Sequence, residues 1–162
     1  MILHRHATEA ATAQLRSARR GDLAAVEQLL TENTLPTDGV RESFENFIVA
    51  EADGRIVGVA GLEICCEHAL LRSVAVDPDY RSKGLGRALV TRVISDAEAR
   101  GIAALYLLTT TAEEYFPTFG FSRISRDEVP ADVQTTGEFQ SACPSTATAM
   151  RRPVTPREPA GR

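Results

Sequence analysis

The twelve residues Val76-Asp77-Pro78-Asp79-Tyr80-Arg81-Ser82-Lys83-Gly84-Leu85-Gly86-Arg87 constrain this chain more than any others. They run from the end of an apolar strand, through a polar turn, into the start of a long helix. Beyond them Leu85, Leu89, Val93 and Ala97 recur every four residues, with Ala88 and Ile94 widening the stripe. That spacing is the apolar face of a helix of about four turns. Gly101 stands where its C-terminal cap belongs. Residues 102–109 are mostly apolar, as in a strand buried on both faces. Strand, helix and strand over 69–109 are long enough for a parallel crossover.

The chemistry of this loop is that of an anion site. The protein carries a formal net charge of −4, yet Arg81, Lys83 and Arg87 concentrate positive charge in one turn. Gly84 and Gly86 remove side chains where a helix exposes its first N–H groups, so an anion can approach the backbone and the helix dipole. A pyrophosphate fits. A P-loop does not, because no Gly-Lys pair exists in the chain. The dinucleotide fingerprint fails too, because Leu89 occupies the position of its small third residue. A solvated basic turn with a glycine-rich cap is the alternative that the loop alone leaves open.

The remaining chain supplies a mixed frame. Residues 14–18 form a short strand candidate. Asp22 can cap a helix reaching Glu32, with Leu23, Val26, Leu29 and Leu30 on one face. Residues 35–39 make a turn, and a short helix is expected over 41–45. Strands over 47–51 and 56–64 are joined through Asp53-Gly54, a strong hairpin signal. The chain turns again at 65–68 into a strand over 69–76. A short helix is expected over 112–119, interrupted or ended at Pro117, and strands over 121–124 and 146–151. No internal repeat is seen. Residues 153–162, with Pro153, Pro156 and Pro159, read as a disordered tail after one domain over 1–152. The class is α/β, antiparallel in its first half.

Composition narrows the function. A chain of 162 residues is about one domain, and 43% hydrophobic with 25% charged residues excludes a wholly disordered chain. The acidic balance argues against nucleic acid as partner. No apolar run approaches the roughly 18–20 residues that span a bilayer, and the N-terminus has no apolar core of a secretory signal. Three cysteines without such a signal argue for reduced thiols and a cytoplasmic location.

The pattern Arg81-x-x-Gly84-x-Gly86 after Val74-Ala75-Val76-Asp77-Pro78 is similar to the coenzyme A loop of the GNAT acetyltransferase superfamily. Phe116-Pro117-Thr118-Phe119-Gly120-Phe121 resembles the helix-to-strand element that closes that domain, aromatic-x-x-x-Gly-Phe. Leu107-Leu108-Thr109-Thr110 and the ending at 146–150 look similar to the acetyltransferase domain of bacterial N-acetylglutamate synthase. Leu71-Arg72-Ser73-Val74-Ala75-Val76, Tyr106-Leu107-Leu108-Thr109-Thr110-Thr111, Arg126-Asp127-Glu128-Val129-Pro130 and Glu138-Phe139-Gln140-Ser141-Ala142-Cys143-Pro144 resemble the N-acetyltransferases associated with arsenic resistance. The resemblance covers roughly residues 14–152. It implies a splayed mixed β-sheet flanked by helices, with acetyl-CoA in the wedge between the strands ending near Val76 and Thr109. Backbone at Ser82, Lys83, Gly84, Leu85, Gly86 and Arg87 would hold the pyrophosphate, beside Arg81. Backbone near Val74 and Val76 would pair with pantetheine like an added strand.

Amide formation from a thioester needs a neutral amine, a bound carbonyl and a departing thiolate. Holding the reactants in line can supply up to ~7–11 kcal/mol. A backbone N–H near Val74 or Ala75 is the carbonyl donor that the resemblance implies. Glu63, beside the expected wedge, is the candidate base, acting through water; on an alternating strand it reads equally as a solvent-facing carboxylate. Many family members place a tyrosine acid where this chain has Phe116. Tyr115 is adjacent but points ~100° away on a helix, so a packing ring is its other reading. A thiol of pKa ~8.5 leaves as thiolate near neutral pH without a dedicated acid. Arg41 and Arg72 present planar forks to an acceptor carboxylate, with Thr109 as a further acceptor contact. N-acetylglutamate synthases carry arginine where this chain has Thr111, which argues against glutamate as acceptor.

Cys65 and Cys66 alternate faces in extended chain and Cys143 is remote, so no thiolate chelate is expected; His4, His6 and His68 lack metal-ligand spacing. The expectation is a cytoplasmic N-acetyltransferase that uses acetyl-CoA, needs no metal, and acts on a small amino-acid-like amine, with a link to arsenic resistance and a homodimer as further expectations. The alternatives are a protein or peptide N-acetyltransferase, and an acyl-CoA-binding regulatory domain without turnover.

Overall fold

The structure is a computed structural model that describes residues 13–136, 139 and 147–154. Seven strands hydrogen-bond in the order β1-β2-β3-β4-β5-β7-β6. They are β1 (Gln14–Ser17), β2 (Phe47–Ala52), β3 (Arg55–Cys65), β4 (His68–Val76), β5 (Ala104–Thr109), β6 (Ser122–Ile124) and β7 (Thr148–Pro153). The α-helices among the described residues are α1 (Leu23–Glu32), α2 (Leu85–Ala99) and α3 (Ala131–Gln134). The chain packs as two compact units, residues 1–61 with 73–92, and residues 62–72 with 93–162.

In the first unit β1 and β2 pair antiparallel from Gln14–Glu51 to Ser17–Ile48, and β2 and β3 from Phe47–Gly61 to Ala52–Arg55. The expected Asp-Gly hairpin is there. Asp53 and Gly54 take φ of 53° and 75°, the two left-handed residues of a type I′ turn, whose twist matches the strands it joins. Val26, Leu29 and Leu30 of α1 are buried against Phe44, Phe47, Val49, Val59 and Ala75. Asp22 precedes α1 as foreseen, but its carboxylate does not cap that helix. It accepts the Arg19 N–H at 2.7 Å and two bonds from Arg16 at 2.8 and 3.1 Å, and the guanidinium holds it below the usual carboxylate range. Gly58 sets how closely α2 approaches β3: a Cβ there would lie 2.9 Å from Leu89 Cδ1 and 3.4 Å from Leu85 Cδ2.

The helix expected over 41–45 is a run of turns with a single 3-10 turn at Phe44–Asn46. Pro36 and Gly39 leave too few residues to repay helix nucleation, and Val40 and Phe44 pin the segment by their side chains, 0% and 8% exposed.

In the second unit β4 and β5 run parallel, as the crossover requires, paired over His68–Ala104, Ala69–Leu105 and Leu70–Tyr106. β5 then pairs antiparallel with β7 from Ala104–Pro153 to Thr109–Thr148, and β7 with β6. The core here gathers Leu70, Ala104, Tyr106, Val129, Val133 and Ala149. Gly101 caps α2 as expected: φ is 74°, Gly101 N donates to Glu98 O at 3.2 Å and Ile102 N to Ala97 O at 3.1 Å, the two bonds of a Schellman motif. The helix expected over 112–119 shrinks to a 3-10 turn at Phe116–Phe119 ended by Gly120 at φ 93°. Pro117 contributes to this, since it has no N–H to donate back to the carbonyl four residues earlier and so interrupts an α-helical ladder. At the C-terminal end β7 includes Pro153, and Val154 N donates to Ala103 O at 3.0 Å. The rest of the expected tail, residues 155–162, lies outside the described residues, as does Thr146.

Candidate functional site

The loop between β4 and α2 lies in the first unit. Asp77 starts it: its carboxylate accepts Asp79 N–H at 2.9 Å, its carbonyl accepts Tyr80 N–H at 2.8 Å, and Tyr80 is buried beneath. The backbone then alternates. Ser82 takes φ 65° and Gly84 φ 82°, both left-handed, around Lys83. Alternation of this kind turns successive N–H groups to one side and makes an anion-binding concavity. Ala88 N donates to Gly84 O at 3.0 Å, so Gly84 is the residue before the helix, and the amides of Leu85 and Gly86 belong to the first turn, which lacks acceptors within the helix. Ser82, Lys83, Gly84 and Arg87 are exposed, Leu85 and Gly86 half-buried. A Cβ at Gly84 would meet no protein atom within 4 Å. The loop lies at the positive end of α2 with Ser82, Lys83 and Gly84 exposed, and the residues present fit a diphosphate.

Arg81 is placed differently from Lys83 and Arg87. Its Nε donates to Val76 O at 3.1 Å and its Nη2 to Asn33 Oδ1 at 2.5 Å, so the guanidinium braces the loop from behind. Of the strand residues before the loop, Ala75 is buried and Val74 and Val76 are half-buried. Ser73, just ahead of them, takes φ 61° while only 7% exposed. One left-handed residue inside a strand is a bulge that re-aims the amides after it. Nothing in the local sequence announces it, because serine there has no turn signature.

Arg41 is exposed and lines a cavity of about 300 Å³ with Arg20, Glu42, Phe44 and Glu45. The sequence reading had not included Arg20.

In the second unit two candidates prove to be partners. Arg72 Nη1 donates to Glu63 Oε1 at 3.0 Å, with the arginine side chain 0% exposed and the glutamate 18%. The signal was available, because a two-residue turn at Cys66-Glu67 puts positions 63 and 72 diagonally on one face of the hairpin. Thr109 uses its hydroxyl oxygen to accept Ala112 N–H at 2.9 Å, which shapes the turn after β5. The Thr148 hydroxyl opposite donates to the Glu113 carboxylate. Tyr115 is half-buried, its ring edge-on to Phe116 and Phe119 at 5.2 Å each. Phe116 is buried against Phe121.

Cys65 is half-buried and its thiol donates to Glu63 O at 3.6 Å. Burial first, and then the negative charges of Glu63, Asp132 and Cys66, push this thiol up to about 12. Cys66 is exposed in the turn at φ 61°. Iodoacetamide at pH 8 is therefore expected to label Cys66 at least ~10-fold faster than Cys65, because only the thiolate reacts. Peptide mass spectrometry measures both, and equal rates would contradict the stated burial. Cys143, His4 and His6 lie outside the described residues. Among the described residues no three His, Cys, Asp or Glu side chains converge as a metal site.

Comparison with known proteins bears on what the loop does. A family model, Acetyltransferase (GNAT) domain, matches residues 43–123. The amino-acid acetyltransferase of Aeromonas salmonicida is 32% identical over 132 residues, covering 75% of this chain and 29% of that protein. The [ribosomal protein bS18]-alanine N-acetyltransferase of Escherichia coli is 39% identical over 66 residues, 41% of this chain and 44% of that protein. This chain thus matches less than half the length of each curated relative named here, 29% of one and 44% of the other. N-acetylglutamate synthase from Neisseria gonorrhoeae, solved with coenzyme A and N-acetyl-glutamate, shares the fold at TM-score 0.76 and 24% identity, over 89% of this chain and 35% of its own. A Mycobacterium tuberculosis protein crystallised in complex with CoA aligns at TM-score 0.73 and 25% identity, over 88% and 99%.

Proposed function

This chain belongs to the GNAT acetyltransferase family, and from that premise we propose that it transfers the acetyl group of acetyl-CoA to the amine of a small, amino-acid-like acceptor. The observation that carries the reading is the loop itself, with Ser82 and Gly84 both left-handed at the opening of α2 and Lys83 and Arg87 exposed beside them. The diphosphate of the carrier is held by amides of residues 82–87, with Lys83 and Arg87 neutralising its charge and Arg81 bracing from behind. Bound there, the thioester supplies an activated acetyl group. The bulge at Ser73 aims an amide near Val74 or Ala75 at the acetyl oxygen, where a fixed donor stabilises developing negative charge. Glu63 takes the proton that the attacking amine must lose, through a water, on the oxygen opposite the one Arg72 holds. The CoA sulfur leaves as thiolate, so Tyr115 is not required as an acid, in keeping with its packed ring.

Arg41, exposed in its cavity, is the cation offered to an acceptor carboxylate. Arg72, offered by the sequence as an acceptor contact, has its side chain wholly buried on Glu63 and orients that carboxylate instead, which leaves Thr109 as well as Arg41 for the acceptor. The resemblance to arsenic-resistance acetyltransferases adds an arsenic-bearing amino acid to the acceptors worth testing. A cytoplasmic location is part of this reading, and the odd number of cysteines supports it. Among the described residues no helix is long and apolar enough to cross a membrane.

A second reading, an acetyltransferase of protein N-termini, is favoured by the 39% identity to the bS18-alanine enzyme over 66 residues. Release of free CoA from acetyl-CoA against a panel of amino acids, an arsenic-bearing analogue, peptides and polyamines separates the readings. Release that depends on amino acids, with the acetylated product seen by mass spectrometry, is the expected result. Release with peptides alone supports the second reading. Tight CoA binding with no acceptor-dependent release would make the chain a sensor, the reading that Phe116 in the tyrosine position motivates.

A further inference from the structure

We propose that Asn33, at the end of α1, is a positioning residue for the CoA loop. Its side-chain amide bridges that helix to Arg81, and through Arg81 to the carbonyl of Val76. This inference rests on the reading of residues 81–87 as the CoA site and adds to it a residue 48 positions away in the chain.

The bridge is built from both ends. At the helix end, Asn33 Nδ2 donates to Leu29 O at 2.9 Å. That bond sets which way the amide faces and leaves its oxygen toward Arg81. The helix terminus carrying it is itself firmly closed. Thr34 N donates to Thr31 O at 3.0 Å and Leu35 N to Leu30 O at 2.9 Å, with Thr34 at φ 59°. This is a Schellman cap with threonine in the place that glycine normally takes. A β-branched residue persists in left-handed backbone only where its surroundings over-determine it. Here Leu30 is fully buried and Leu35 packs on the same core.

At the loop end, Arg81 is the residue just before the left-handed pair. Its Nη2 donates to Asn33 Oδ1 at 2.5 Å and its Nε to Val76 O at 3.1 Å. The guanidinium therefore ties the end of β4, the base of the loop and the end of α1 to one another. Asp77 and Tyr80 close the intervening turn. Ser82 is an L-residue at φ 65° and would leave that conformation readily if Arg81 were loose. Holding Arg81 keeps Ser82, Lys83 and Gly84 in the arrangement that presents their amides before any anion arrives, and such preorganisation appears as affinity. All the atoms involved lie in one compact unit.

The rival behaviour is that Arg81 abandons Asn33 and swings onto the diphosphate. The two make opposite predictions. If Asn33 positions the loop, Asn33→Ala raises the Kd for CoA about tenfold, which is 1.4 kcal/mol. If Asn33 only holds Arg81 in reserve, Asn33→Ala leaves the Kd unchanged or lowers it. Isothermal titration calorimetry with CoA on the whole chain measures this. Asn33→Asp keeps an oxygen for the guanidinium and should restore most of the affinity. Arg81→Ala should weaken binding as much as Asn33→Ala, and the double variant no more than either alone, because one bridge is being cut. Thr31→Ala, which removes a hydroxyl bond to Glu27 O on the same helix turn, should leave the Kd unaltered, separating loop positioning from general fraying of α1. In turnover the KM for acetyl-CoA should rise about tenfold, with kcat at saturation within about twofold. If the unaltered chain does not bind CoA, the loop reading fails and this inference with it. If it binds and Asn33→Ala binds equally well, or the Arg81 and Asn33 effects are additive, the loop reading stands and the inference alone is overturned.

Discussion

Gly84→Val is expected to weaken CoA binding at least a hundredfold, about 2.7 kcal/mol, while the fold survives. The cause is conformational. At φ 82° a valine must leave the left-handed region, and the amides on either side of it rotate away from the concavity they share with Ser82. It is not a clash with the protein, since a Cβ at 84 would find open space. Gly101 supplies the control. It sits at φ 74°, also with nothing within 4 Å, but caps the far end of α2. Gly101→Val should cost a comparable amount of stability and leave CoA affinity unaltered, whereas Gly84→Val should lose the affinity as well. Calorimetry and thermal melting of the two variants decide it. Equal CoA affinity in Gly84→Val and the native chain would end the assignment of this loop.

Glu63→Leu is expected to lower stability by about 3 kcal/mol, the order seen when one member of a buried ion pair is removed. For a chain of this size that is a fall in Tm of roughly 6–12 °C, at ~2–4 °C per kcal/mol. The reason is the asymmetry of the pair: Arg72 has a side chain 0% exposed, so its charge gains little from water once the carboxylate is gone. The double variant Glu63→Leu with Arg72→Met should recover most of the loss, because no charge is then left behind. Glu63→Gln isolates the chemistry. It keeps an oxygen for Arg72 but not the charge, so it should lose less than Glu63→Leu, about 1–3 kcal/mol. It cannot take the proton of the attacking amine, so turnover should drop most below the acceptor amine's own pKa and recover above it. A Glu63→Gln variant with an unaltered pH–rate profile would leave Glu63 as the anchor of Arg72 and nothing more.

What could be read from residues alone follows a physical line. The Asp53-Gly54 hairpin, the α2 stripe with its Gly101 cap, and the glycines that open the helix are short-range features. Their dihedral angles depend on the residue itself, and their periodicity depends on neighbours three or four apart. They appear in the structure where expected. The failures have local rules overridden by something further away. Thr34 caps α1 in a glycine conformation because Leu30 and Leu35 hold it there, so no glycine flagged it. Residues 41–45 have helical content but are held by the burial of Val40 and Phe44. Asp22 has the residue type of a cap, but Arg16, itself bonded to Glu51 on β2, draws its carboxylate away.

The candidate site divides in the same way. The sequence by itself determined the glycine- and cation-rich turn that opens α2, because glycine, cation and helix start are adjacent in the chain and need no distant partner. Only the tertiary structure decided what stands behind that loop and what the charged residues do. It placed Glu63 against Arg72, turned the Arg81 side chain onto Asn33, bent β4 at Ser73 and set β7 between β5 and β6. Each of these is settled by which surfaces meet when the core closes. For Arg81 on Asn33 and for the strand order that information is spread over dozens of residues of separation, whereas the Glu63–Arg72 pair, nine residues apart, needed only the register of its hairpin.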